Sequence, residues 1–226
     1  MNYVLGGRTI WQVLGRSGGA AAVPWWLYGG VSAANCVAAY QPIGAASLAA
    51  SYVNLANPGT YDAAPGTAPT WAAATGWTFA AASRAYLSTG VLINDGWTAI
   101  IRVNAVSGYY GVAFGMYENG HKNMYVRPRQ TQTLRKYAYA GTNSVSGALT
   151  TGVMAMADTA CYLNGSADGT IAQAWSGGAA TIPLWIGALN FSTKYYFTGS
   201  VQAFAIYNTT LSAAQVAAIS SGMTAL

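Results

Sequence analysis

The residues able to do acid, nucleophilic or metal chemistry are few in this chain of 226 residues, which holds five acids and one histidine beside two cysteines. Glycoside hydrolysis needs two carboxyl groups facing one another across the scissile bond, one protonated and one ionised. Asp62, Asp95, Glu118, Asp158 and Asp168 are the whole supply, and no two of them alternate along one strand-like run. The last four sit in turn contexts, so hydrolysis is not expected. A Ser-His-Asp set would have to use His121, which lies beside the Asn119-Gly120 turn among polar residues, and no Gly-x-Ser-x-Gly elbow accompanies it. Calcium wants several oxygen ligands, carboxylates among them. With so few acids no cofactor is expected, and a weak calcium ion held by backbone carbonyls is left open. Cys36 and Cys161 fit neither a metal spacing nor a disulfide framework. Each reads as a small buried apolar residue, with a bridge between them left open.

What remains is recognition by shape and aromatic surface. Tyr109, Tyr110, Tyr117, Tyr125, Tyr137 and Tyr139 fall on neighbouring strands of a meander, and alternation turns some of them outward. There an aromatic face with a polar handle can stack on a sugar ring or meet a protein partner. The formal net charge is +5. Most of the positive charge falls in Arg8, Arg16 and the cluster Lys122, Arg127, Arg129, Arg135 and Lys136. This cluster reads as a solvated pair of strands with their loop; no basic helix or repeated stacking motif accompanies it, so nucleic acid is not expected. Trp11, Trp25 and Trp26 lie in an amino-terminal arm rich in Gly and Ala that could not fold alone. They are expected to dock it on its own sandwich or on a neighbouring subunit.

The elements that must position these residues read as short strands punctuated by turns. Val37 to Tyr40 is the first, Gly44 to Tyr52 a short helix, and Asn54 to Gly76 a loop with a short strand at Thr60-Tyr61. Trp97 to Val103 alternates with a period of two, and strands follow at Tyr109 to Tyr117, Asn123 to Arg127 and Thr133 to Tyr139, the first pair joined at Glu118-Asn119-Gly120. Further strands are expected at Thr151 to Ala157, Thr159 to Leu163, Ile171 to Trp175, Pro183 to Gly187 and Tyr195 to Tyr207. Ser212 and Gln215 have the spacing of a capping box, with Leu211 as a staple, Val216 and Ile219 on the apolar side, and Gly222 as the stop. From Ser17 to Tyr61 no residue carries a formal charge, yet Pro24, Gly29-Gly30, Asn35 and Gln41 interrupt the run, so no membrane span is expected. Arg8, Arg16 and Val31-Ser32-Ala33 have some features of a signal peptide; the expectation is that the chain keeps its first residues.

The stretch Trp185 to Met223 carries a resemblance. Ile186-Gly187-Ala188, Tyr196-Phe197-Thr198-Gly199, Val201, Ile206-Tyr207-Asn208, Leu211-Ser212 and Gln215-Val216 follow in the order and spacing of the ending of the laminin-G-like, concanavalin A-like jelly-roll family. Cys161-Tyr162-Leu163-Asn164-Gly165 looks like that family's hairpin strand, Gly76 to Leu87 like an earlier segment with its acids missing, and Trp97 to Val103 like the strand that follows. The resemblance covers Val37 to Met223. It implies an all-β jelly-roll sandwich of two antiparallel sheets with a short carboxy-terminal helix and an extended amino-terminal arm, divided as arm 1–36 and domain 37–226. Glucanases share the fold, but their carboxylate pattern is absent here. A charge-poor arm on such a sandwich looks like proteins of bacteriophage particles. This implies a non-enzymatic virion structural or decoration protein, oligomeric, contacting other virion proteins and a host-surface glycan. The alternative is a secreted or cell-surface lectin-like module.

Overall fold

The computed structural model describes residues 22–119 and 121–226; the expectations for Arg8, Trp11 and Arg16 lie outside them. In chain order the strands and helices are β1 (Cys36–Tyr40), α1 (Leu48–Ser51), β2 (Ala64–Thr67), β3 (Thr70–Ala72), β4 (Gly76–Phe79), β5 (Tyr86–Ser88), β6 (Thr98–Asn104), β7 (Phe114–Asn119) and β8 (Lys122–Arg127). There follow β9 (Leu134–Tyr139), β10 (Gly141–Ser146), β11 (Gly152–Ala157), β12 (Ala160–Leu163), β13 (Ser166–Thr170), β14 (Trp185–Ile186), β15 (Gly199–Tyr207) and α2 (Ala213–Thr224).

Two antiparallel sheets face each other. The first runs β13-β12-β11-β6-β15, after which the opening residues of β15 pair with β4, which leads to β3, and its closing residues pair with β1. The second runs β10-β9-β8-β7-β14-β5-β2. Alternation fixes which side chains meet between them: Leu87, Phe114, Met116, Met124, Val126, Tyr137, Tyr139 and Ile186 from the second sheet pack on Ile101, Val103, Met154, Met156, Phe204 and Ile206 from the first. Every residue of β15 is buried, because both of its faces are covered. A register shift between Val201 and Ala203 lets Val201 and Phe204, an odd number of positions apart, both point inward.

The outer face of the first sheet is roofed by α2. Ser212 Oγ accepts from the Gln215 amide at 3.3 Å and Gln215 Oε1 accepts from the Ser212 amide at 3.0 Å, a closed capping box. Leu211, Val216, Ile219 and Met223 then bury against Ile100, Val153, Ala155, Ala203, Ala205 and Tyr207. Gly222 does not stop the helix, which continues to Thr224. Its value is close approach: a Cβ there would sit 2.7 Å from the Tyr28 ring and 3.0 Å from Trp25 Cβ. Those residues belong to a 3₁₀ segment, Trp25–Gly30. Trp25 is buried, its indole N–H donates to Gln41 Oε1 at 2.8 Å, its ring meets Trp26 edge-on at 5.4 Å, and the Tyr207 hydroxyl donates to the Trp26 carbonyl at 2.9 Å. Trp25 and Trp26 therefore rest on their own sandwich.

Several elements depart from expectation. The strand expected from Tyr109 begins only at Phe114, as β7, and the residues before it form a loop, since Ala105 and Tyr110 adopt left-handed φ of 52° and 61° that break extended pairing. Ile171 to Trp175 is not a strand; the partner of β12 is the earlier Ser166–Thr170, folded back directly from Asn164-Gly165. The strands β2, β3 and β10 escape sequence reading because they lie at sheet edges or beside them and carry small, polar or Gly-Pro residues without apolar alternation. The Gly44 to Tyr52 helix shrinks to Leu48–Ser51, capped by Ser47. Cys36 and Cys161 are free and buried on opposite faces of the first sheet, one under α2 and one between the sheets. Among the described residues no helix is long and apolar enough to cross a membrane.

Candidate functional site

The acids come first, since hydrolysis would depend on them. Asp62 accepts from the Asn54 amide at 2.8 Å and organises a turn. Asp168 is held by Arg135, whose Nε donates at 2.6 Å, and by the Tyr137 hydroxyl at 2.6 Å. Glu118 accepts from the Thr181 amide at 2.7 Å and pairs with Lys122 at 3.8 Å; that amide bond holds its carboxyl below the usual range. Asp95 and Asp158, which the sequence keeps far apart, approach one another around Tyr139, whose hydroxyl donates to Asp95 at 3.2 Å. Loss of solvent, then the charge of Asp95, raises the Asp158 carboxyl. Both lie in turns and act on one phenol. A glycosidase pair instead stands on either side of a sugar. His121 is exposed, with Nδ1 2.6 Å from the Gln173 amide. Among the described residues no three His, Cys, Asp or Glu side chains gather as a metal site.

The outer face of the second sheet is a different kind of surface. A single register line crosses it: Thr142, Ala138, Tyr125, Gly115, Trp185, Ser88 and Ala64 are successive partners from β10 to β2. Two residues along each strand of the meander, the next line places Ser144, Lys136 and Arg127 side by side. Small residues at Ala138 and Gly115 leave room for aromatic and apolar side chains to lie down on the sheet. At Gly115 a Cβ would lie 2.4 Å from Tyr125 Cβ and 3.0 Å from Leu189, so only glycine lets the segment after β14 come this close. That segment brings Leu189, Phe191 and Tyr195 over the sheet, packed on Val112, Tyr125 and Ala138.

Aromatic and cationic groups interleave on this face. Trp185 stacks on Tyr86 with ring centroids 3.9 Å apart, and the Lys194 ammonium lies 5.5 Å from the Trp185 ring. Tyr117 meets Phe191 edge-on at 4.7 Å. Arg127 is held between the Tyr125 and Tyr195 rings at 5.1 and 4.2 Å, only 7% exposed. Its Nη1 donates to Gln130 at 3.0 Å, while its buried Nε has no acceptor among the described residues. At the rim, the Tyr110 amide donates to the Arg129 carbonyl and Arg129 lies 4.8 Å from the Tyr109 ring. Tyr109 and Tyr110 are 44% and 50% exposed, and the left-handed backbone of Tyr110 is the kind of local strain that clusters at binding loops.

Of the six tyrosines named from the sequence, Tyr109 and Tyr110 are exposed, Tyr117 is half-buried on the outer face, and Tyr125 lies flat in its floor with 6% exposure. Tyr137 and Tyr139 are fully buried between the sheets and offer no face to a ligand. The parity of β9 explains this: Ala138 faces out, so its neighbours face in. Tyr86, Trp185, Phe191, Tyr195 and Lys194 escape the sequence reading. Trp185 is legible in principle, since in Leu184-Trp185-Ile186 an inward isoleucine turns the tryptophan outward. The long-range stack on Tyr86 is not.

Two grooves flank α2. One, of about 640 Å³, is lined by Arg102, Thr151, Asn164, Ser220 and Thr224. Arg102 there donates to the Met223 carbonyl, so its charge is engaged with the helix end. The other, of about 530 Å³, is apolar and lies between Val23, Leu27 and Tyr28 and the helix residues Ala218 and Ser221.

A family model described as the concanavalin A-like lectin/glucanases superfamily matches residues 49–217. Comparison with curated proteins gives no match. Among solved structures, a Trypanosoma rangeli sialidase in complex with a difluoro-KDN superposes with a TM-score of 0.58 at 13% identity, over 83% of this chain and 33% of that one. Another complex of the sialidase, with 2,3-difluorosialic acid, gives 0.56 at 12% identity over the same shares. This chain thus spans about a third of the sialidase length. Domain 4 of a GH43 extracellular arabinanase from Geobacillus stearothermophilus, in complex with arabinotriose, gives 0.52 at 13% identity over 82% of this chain and 98% of that domain. Such likenesses describe the fold, a sandwich of two antiparallel sheets, and with the family match over three quarters of its length the chain belongs to the concanavalin A-like lectin/glucanases superfamily.

Proposed function

We propose that this chain is a non-catalytic recognition module that binds glycan across the outer face of its second sheet. One observation carries the reading: that face presents Trp185, Tyr86, Tyr117 and Tyr195 with Lys136 and Lys194 beside them, over a floor that holds Tyr125 and Arg127, while all five acids of the chain are engaged elsewhere. Aromatic rings supply flat apolar contact to a pyranose and the cations supply donors. Domain 4 of the arabinanase, alike in fold, is seen with arabinotriose.

The setting we propose is a bacteriophage particle, as a head decoration, fibre or tail-associated component in contact with other virion proteins and with further copies of itself; a secreted or cell-surface lectin-like module is the alternative. Low charge and many small residues support the first. Mass spectrometry of purified particles from the source virus would find the chain in stoichiometric amount, and its absence there would leave the alternative.

A glycan array probed with the intact protein tests the binding. Retention of a defined glycan subset is expected, lost in Trp185→Ala and Tyr195→Ala, each of which melts somewhat lower than the parent but stays cooperatively folded at the assay temperature. Release of reducing ends from a retained glycan would overturn the non-catalytic reading.

A further inference from the structure

Arg127 and Lys136 are directly opposed partners on β8 and β9. Like charges in this position repel and lower the stability of a sheet; the Tyr125 and Tyr195 rings and Gln130 engage Arg127, but no opposite charge among the described residues neutralises the pair. Neither has a carboxylate partner, since Asp168 is taken by Arg135 and Glu118 by Lys122. The arrangement is also dry. Arg127 is nine-tenths buried with an orphaned Nε, and a buried unpaired donor is costly. Lys136 feels both burial and the Arg127 charge, which lower its pKa. Arg129, two residues beyond, carries a second buried Nε without an acceptor. A chain this poor in charge has set two cations directly opposite one another on an aromatic face, with Arg129 further on, at the rim, turned to Tyr109 and the Val106 carbonyl.

A group that would satisfy them must be anionic, must bring acceptor oxygens to a planar guanidinium, and must fit beside Tyr125 and Tyr195. Resting on the reading of that face as a glycan surface, we infer that Arg127 and Lys136 form an anion subsite for the carboxylate or sulfate of an acidic sugar, with the ring of that sugar against the neighbouring tyrosines. Ser144, the outward partner of Lys136 on the next strand, adds a hydroxyl at the same level.

Titration calorimetry with three probes tests it: tetragalacturonate, a sulfated heparin tetrasaccharide, and uncharged galactotetraose. At least one acidic probe should bind tenfold or more tighter than the neutral one, and which of them does so distinguishes carboxylate from sulfate. Lys136→Gln should remove at least about tenfold of that preference. Lys136→Glu should abolish it while raising the melting temperature, because the new carboxylate would occupy the anion's place beside Arg127. Equal affinity for acidic and neutral probes, unchanged in both variants, would overturn the anion subsite and leave the glycan face standing. Binding of duplex DNA or anionic vesicles with no sugar binding at all would overturn both.

Discussion

At the scale of single residues, burial decides the role of each reactive group. Cys36 and Cys161 lose solvent in the folded chain, and desolvation before any other cause pushes both thiols up to about 12. A thiol is nucleophilic as the thiolate, so at pH 8 neither should react with a disulfide reagent until denaturant is added; rapid labelling of the native protein would contradict their placement. Asp168 is engaged differently, gripped by the Arg135 fork and a phenol. Removing it as Asp168→Ala strands a buried guanidinium and should cost about 3 kcal/mol or more in urea unfolding. Asp158 has its folded-state pKa raised by burial and by Asp95. A carboxyl raised in this way destabilises the fold wherever it is ionised: the cost is fully present above the raised value and vanishes once pH falls below the ordinary carboxylate range, near about 4. Asp158→Asn should therefore melt higher than the parent at pH 7.5, with the gain gone near pH 3; asparagine also tolerates the left-handed φ of 53° at this turn. A gain that grew on acidification would contradict this.

At the scale of elements, the legible ones are those whose sequence shows its own period or cap. β6 alternates, and α2 announces itself through Ser212, Gln215 and the apolar pair Val216 and Ile219. Ser212→Ala should cost about 1 kcal/mol by loss of the cap. Ile219→Ala, emptying a fully buried site under the helix, should cost about 2–5 kcal/mol. Both are read from chemical denaturation, and a smaller effect at Ile219 than at Ser212 would show that the helix is not seated as described. The 3₁₀ segment is not legible, because its hold comes from distant residues: Gly222 opens the space, and Gln41 and Tyr207 fix the Trp25 ring and the Trp26 backbone. Trp25→Ala should cost about 3–5 kcal/mol, as much as a core mutation, though the residue lies in what reads as an arm. The edge strands hide for the converse reason. An edge needs backbone pairing on one side only, and small polar residues suffice for it.

At the scale of the whole molecule, the two sheets are covered unequally. The first is roofed on its outer side by α2 and the 3₁₀ segment, which fill it with Ile219, Val216 and Trp25. Among the described residues the second receives only the crossing segment of Leu189, Phe191 and Tyr195, and beside it stand the rings and cations of the proposed site. The sandwich and its carboxy-terminal helix can be read from motif order and turn spacing. The binding face can be read only in part: alternation points to Tyr117 and Tyr125, but it points equally to Tyr137 and Tyr139, which the parity of β9 places in the core. Which face stays open is a property of packing between segments far apart in the chain, and no local pattern encodes it.

The central claim is that the second sheet recognises and does not react. Amide chemical-shift mapping with a glycan retained on the array tests it most directly. The account predicts shifts centred on Tyr117, Tyr125, Arg127, Lys136 and Trp185, with the sugar's anomeric signals unchanged after prolonged incubation. Shifts centred instead on the turns of Asp95 and Asp158, accompanied by new reducing-end signals, would contradict it.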